Sequence, residues 1–152
     1  MHPLFAKADA QSGLAIGAAI EVHRNLGPGL LESIYEKCMI HEFGLRGSRV
    51  ENQRDVSVTY KGLTFLETLR FDVLVDKCLL LEIKAVERLL PVHKAQLMSY
   101  MKLMDIPIGL LVNFHEPILK NGLVRLVLPG ANKSNSKPDN EISVSADQSV
   151  LR

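Results

Sequence analysis

The spacing of apolar positions changes character twice along the chain. From about Asp9 to Asn25, the residues Leu14, Ile16, Ala18, Ala19, Ile20 and Val22 recur at helical intervals and predict a first helix. Gly13 and Gly17 weaken it but permit close packing. The Gly27-Pro28-Gly29 turn breaks the chain. A second helix is then expected over Leu30 to Leu45, with Leu31, Ile34, Cys38 and Leu45 facing inward and Gly44 or Gly47 ending it.

The period then falls to two. Val50, Val56, Val58 and Tyr60 alternate with polar neighbours and predict a strand. Lys61-Gly62 reads as a turn, Leu63 to Val75 as a second strand, Asp76-Lys77 as another turn, and Leu79 to Val86 as a third strand. Short turns between successive strands imply an antiparallel meander. Helical spacing returns over Pro91 to Met104, with proline in the first turn. The continuous apolar run Ile108 to Phe114 has the pattern of a strand buried on both faces. Leu123 to Leu128 supplies a last strand. The order α-α-β-β-β-α-β-β predicts an α/β (α+β) domain: a mixed central sheet flanked by helices.

Residues 131–152 are polar and poor in large apolar side chains, too few to offset the entropy of ordering them. The expected division is a domain over 1–130 and a disordered tail over 131–152. At 152 residues, one domain is the expectation. Eighteen basic and 17 acidic residues leave a net charge of +1, so bulk charge gives no nucleic-acid footprint, although a local patch stays open. Cys38 and Cys78 lack metal-ligand or redox spacing and read as reduced thiols in apolar surroundings. The N-terminus has no basic stretch leading into an apolar one, and no run approaches the ~18 apolar residues of a membrane span. A soluble, cytoplasmic protein is expected.

Chemistry concentrates in the third strand. In Leu79-Leu-Leu-Glu-Ile-Lys84, side chains alternate, so Glu82 and Lys84 share one face while Leu81 and Ile83 take the other. An acid and a base in an otherwise apolar strand are costly unless they serve each other or a cation. Asp72 lies inside an apolar run of the preceding strand, and the turn at 76–77 folds it towards Glu82. Two poorly solvated carboxylates either share a proton or hold a cation. Hard oxygen ligands favour Mg²⁺, a metal acidifies bound water, and Lys84 could steady that water and the developing charge. This set suits phosphodiester hydrolysis. The alternative for these residues is an ion pair on a solvated sheet face.

Glu32 and Glu36 are spaced i, i+4 near the start of the second helix, with Tyr35 beside them. They read either as a carboxylate over the metal site, with Tyr35 holding it or touching phosphate, or as a capped, solvated first turn. On the later helix, His93, Gln96 and Tyr100 form one polar stripe: a water- or phosphate-binding row, or an ordinary solvated face.

Gly29-Leu-Leu-Glu-Ser-Ile-Tyr35 fits the pattern GxxExxY. With Phe71-Asp72, Leu81-Glu-Ile-Lys-Ala-Val-Glu87, His93-Lys-Ala-Gln-Leu-Met-Ser-Tyr100 and Gly109-Leu-Leu-Val-Asn-Phe114, the chain resembles the GxxExxY protein family of the PD-(D/E)xK nuclease superfamily over about Leu14 to Pro129. Phe71 stands where the superfamily pattern often has proline. The resemblance implies a restriction-endonuclease-like αβββαβ core with an extra N-terminal helix and C-terminal strand. It implies catalytic roles for Asp72, Glu82, Lys84, Glu32 and Gln96. A Mg²⁺ or Mn²⁺ ion would be held by Asp72, Glu82, the Ile83 backbone carbonyl and Glu32. Tyr35, Glu36, His93 and Tyr100 are expected at the substrate. The expected activity is metal-dependent cleavage of DNA or RNA, by a homodimer or with a recruiting partner. The alternative is a non-catalytic nucleic-acid- or protein-binding module on the same scaffold.

Overall fold

A computed structural model describes residues 1–134; the expected tail lies outside these residues except for its first four. The elements run α1 (Phe5–Leu26), α2 (Glu32–Leu45), β1 (Val50–Tyr60), β2 (Leu63–Val75), β3 (Leu79–Lys84), α3 (Pro91–Met104), β4 (Ile108–Asn113), a 3-10 turn (Leu119–Gly122) and β5 (Leu123–Val127). The five strands form one sheet in sequence order. β1, β2 and β3 make the expected antiparallel meander. β4 pairs parallel with β3 through the α3 crossover, and β5 returns antiparallel. The sheet is therefore mixed, with helices on it, as the element order required.

Two apolar layers flank the sheet. Val73, Val75, Leu79, Leu81, Ile83, Leu110 and Val112 pack with α1 and α2. Leu74, Leu80, Leu111, Val124 and Leu126 pack with α3. All six residues of β4 are buried, as a two-sided strand must be. α3 sits so close to β4 that a Cβ on Gly109 would lie 2.6 Å from Met101 Sδ. Cys38 is half-buried and Cys78 buried; both are free thiols. Among the described residues, no helix is long and apolar enough to cross a membrane.

The helix faces differ from the sequence expectation. On α2 the inward stripe is Tyr35, Met39 and Phe43, at i, i+4 and i+8, while Leu31 and Leu45 are each 71% exposed and Ile34 also faces out. The aromatic and thioether side chains fill more of the core than the aliphatic set, and Tyr35 can go inside because its hydroxyl finds partners. On α1, Leu14 and Ile20 are exposed, and the contact face is Ala8, Ser12, Ala15, Ala18, Ala19 and Val22. Small residues let α1 approach the sheet closely; larger aliphatics would hold it off. The helix also starts earlier than Asp9, at Phe5. Ala131, the first residue of the expected tail, is buried, and its carbonyl accepts from the His2 amide.

Candidate active site

β3 enters the middle of the sheet carrying four buried apolar positions and two charges. Leu81 and Ile83 point into the α1/α2 layer, and Leu80 into the α3 layer. Glu82 and Lys84 continue the Leu80 face, at the strand's C-terminal end. Both are half-buried.

Asp72 reaches them through an irregularity that its sequence does not announce. Glu51 pairs with Leu74 and Gln53 with Arg70, so one residue of β1 faces Phe71, Asp72 and Val73 of β2. This bulge turns Phe71 into the α3 layer and Val73 into the α1/α2 layer, although only one residue separates them. Bulges of this kind re-aim side chains beside active sites. Regular pairing of β2 with β3 stops at Val73–Leu81, and the next backbone donor of β3, the Ile83 amide, donates instead to Asp72 Oδ2 at 2.7 Å.

The electrostatics follow from this geometry. Burial pushes the Glu82 carboxyl up to about 7, reinforced by the charge of Asp72 and opposed by Lys84 and by the Asp72 backbone amide. Burial also raises Asp72, against the Ile83 amide, Lys84 and a hydrogen bond from Glu82. The two carboxyls thus share a site in which both cannot carry charge cheaply at neutral pH, unless a cation joins them.

α2 brings more negative charge. Glu32 is its first residue. Burial raises its carboxyl, Lys84 opposes the rise, and Asp72 adds to it. Glu36, one turn on, is raised by burial and by Asp72 and Glu32. Both are half-buried and lie within the field of the Asp72–Glu82–Lys84 group. They approach as charges. No three His, Cys, Asp or Glu side chains among the described residues stand together as a ready metal-binding set. Two carboxylates are nonetheless the usual protein share for Mg²⁺, which keeps water and substrate oxygens in its remaining positions. The donors present, all hard oxygens beside a lysine, fit such an ion.

The structure places Tyr35 in the core. It is fully buried, stacked on Phe114 at 4.5 Å between ring centroids. Its hydroxyl donates to the Gly27 carbonyl at 2.6 Å and accepts from the Leu30 amide at 3.0 Å. It latches the loop that delivers Glu32, and Gly29 in that loop has φ +93°, a conformation that favours glycine. The GxxExxY spacing therefore reads as loop, carboxylate and latch.

The α3 stripe separates. His93 Nδ1 accepts from the Leu90 amide at 3.0 Å and so caps its own helix. Gln96 is exposed, and Tyr100 packs against the α3 layer. Sequence reasoning passed over Asn113. It is buried at the end of β4, where its amide accepts from the Val86 and His115 backbone N–H groups and donates to the Val86 carbonyl. This ties down the segment that follows Lys84. A polar residue closing an apolar run was the available signal.

The family model of the PD-(D/E)XK nuclease superfamily matches residues 9–126. The chain belongs to the PD-(D/E)XK nuclease superfamily. Its three helices and five-stranded mixed sheet are the α+β arrangement of the restriction-endonuclease-like fold. No curated protein and no solved structure matches the chain. Membership implies a nucleic-acid substrate, and superfamily members usually employ divalent metals.

Proposed function

We propose that the protein is a divalent-metal-dependent nuclease that hydrolyses phosphodiester bonds of DNA or RNA, with Asp72, Glu82 and Lys84 as its catalytic group. The observation that carries this reading is the meeting of two adjoining, half-buried carboxyls with a lysine, at the end of a strand that is otherwise core. Structural ion pairs do not require two acids side by side, whereas a hard divalent cation such as Mg²⁺ is held by one or two carboxylates.

Asp72, Glu82 and the Ile83 carbonyl would hold the cation, Mg²⁺ or Mn²⁺, which supplies an acidified water and offsets charge on the phosphate. Lys84 orients the attacking water and stabilises the charge that builds on the phosphoryl oxygens. Glu32, delivered by the Tyr35 latch, joins through water or on substrate entry, and Glu36 adds to the field. Gln96, exposed on α3, would meet the substrate there. The GxxExxY pattern supports placing the chain in that family within the superfamily.

The test is cleavage of labelled single- and double-stranded DNA and RNA with Mg²⁺ or Mn²⁺, comparing the wild type with Asp72→Ala and Lys84→Ala. Metal-dependent cleavage should be lost in Asp72→Ala and fall by about 10²–10³-fold in Lys84→Ala, the usual effect of removing one transition-state donor. Equal cleavage by both variants would refute the assignment. No cleavage together with no metal binding by calorimetry would favour the non-catalytic module.

A further inference from the structure

β1 and β2 are longer than the sheet they belong to. From Gln53–Arg70 to Tyr60–Leu63 they pair with each other, whereas β2 pairs with β3 only over Val73 to Val75. The surplus forms a two-stranded ribbon. Because β2 runs antiparallel to β3, the ribbon leaves the sheet at the end where Glu82 and Lys84 lie. Phe65 precedes Asp72 by seven residues, roughly 23 Å at the rise of a strand.

Residues opposite each other share a face. One face carries cross-strand hydrogen bonds of Thr59 with Thr64, Thr68 with Asp55 and Arg70 with Gln53. The other is mostly apolar, with Arg54 and Glu67 as its charged members. Its root, Val56 and Phe71, is buried in the α3 layer, but its outer part is bare: Tyr60 is 63% exposed and Phe65 41%, and Leu63 lies beside them. A lone two-stranded ribbon is marginal in water, and this one presents its aromatics to solvent. Its basic residues Arg54, Lys61 and Arg70 are nearly matched by Asp55 and Glu67, so phosphate attraction alone does not explain it. Lys61 Nζ lies over the Tyr60 ring, 5.4 Å from its centroid, so a cation sits on one face of that ring.

Resting on the nuclease reading above, we infer that the ribbon tip is a base-stacking arm: Tyr60 and Phe65 hold unpaired bases of the substrate strand, about 23 Å along from the bond that is cut. The arm is continuous with Asp72 through β2, so strand binding and cleavage share one rigid element. Aromatic faces accept any base, so the arm adds grip without sequence preference.

The chain contains no tryptophan, so Phe65→Trp creates a single emitter at the tip. Fluorescence of that full-length variant, titrated in EDTA with DNA and RNA oligonucleotides long enough to span site and tip, should show saturable quenching by single strands and little by duplexes. In parallel, Tyr60→Ser/Phe65→Ser should weaken single-strand binding about tenfold or more, by anisotropy, with an unchanged melting temperature. Cleavage by the wild type with single-strand binding untouched in the tip variant would overturn the arm and leave the nuclease standing. Neither binding nor cleavage of any nucleic acid would overturn both. Loss of a concentration-dependent dimer in the tip variant, with nucleic-acid binding unchanged, would assign the tip to a second copy instead.

Discussion

β3 and the β1–β2 ribbon belong to one sheet and treat their side chains in opposite ways. β3 is six residues long and sits between two helical layers, so its only polar groups, Glu82 and Lys84, are half-buried and Glu82 is held near neutral pH. The ribbon is longer, stands in water beyond Phe71, and carries Asp55, Lys61, Glu67 and Arg70 exposed. Equal residue types therefore mean different things in the two places. A charge in β3 is informative because burying it is costly, while a charge on the ribbon is solvated and cheap. For apolar residues the logic reverses: Leu81 is ordinary in β3, and Phe65 is conspicuous on the ribbon.

The comparison can be broken most sharply in the core. Leu81→Ala, in β3, should cost about 2–5 kcal/mol of folding stability, read by urea unfolding. A cost near zero would mean that β3 is not the buried spine. Tyr35→Phe tests the latch at the mouth of the site. It strands the Gly27 carbonyl and the Leu30 amide, and should cost about 1–3 kcal/mol. Cleavage measured below the melting transition should stay within a few-fold of wild type; a large loss of rate at full folding would return Tyr35 to the substrate.

The charges of β3 also give a pH signature. Glu82 binds its proton more tightly folded, near 7, than at its ordinary value of 4.5. The folded state then holds more protons than the unfolded one across that window, and metal-free stability must fall as pH rises through it. Asp72, Glu32 and Glu36 are shifted in the same direction. The melting temperature without metal should therefore drop by roughly a few degrees from pH 5 to pH 7.5. Glu82→Gln should flatten the slope, and Mg²⁺ added at pH 7.5 should raise the wild-type melting temperature. A slope unchanged in Glu82→Gln would place the proton elsewhere. The smallest effect belongs to the ribbon: Leu66→Ala, at a residue 75% exposed, should change stability by less than about 0.5 kcal/mol. A larger loss would mean that the ribbon is covered.

Much of this was legible in the sequence because period and burial are local signals. The meander, the crossover to the two-sided β4 and the pairing of Glu82 with Lys84 on one face all follow from alternation and from short turns at 61–62 and 76–77. The α2 face was misjudged because hydrophobicity ranks leucine and isoleucine above tyrosine. It does not register that Gly27 and Leu30 would meet the Tyr35 hydroxyl and Phe114 its ring. The α1 face was misjudged because a stripe of alanines looks weak until close approach makes it the better fit.

By itself, then, the sequence determined the order and type of the elements and put an acid and a base on one face of a buried strand, since strand alternation is a property of the backbone. Only the tertiary structure decided which residues meet. The bulge opposite β1 delivers Asp72 to the Ile83 amide and to Glu82, the latch presents Glu32, and Asn113 fixes the chain after Lys84. These are contacts between residues distant in sequence, and their energies depend on what is buried beside them, which no local pattern records.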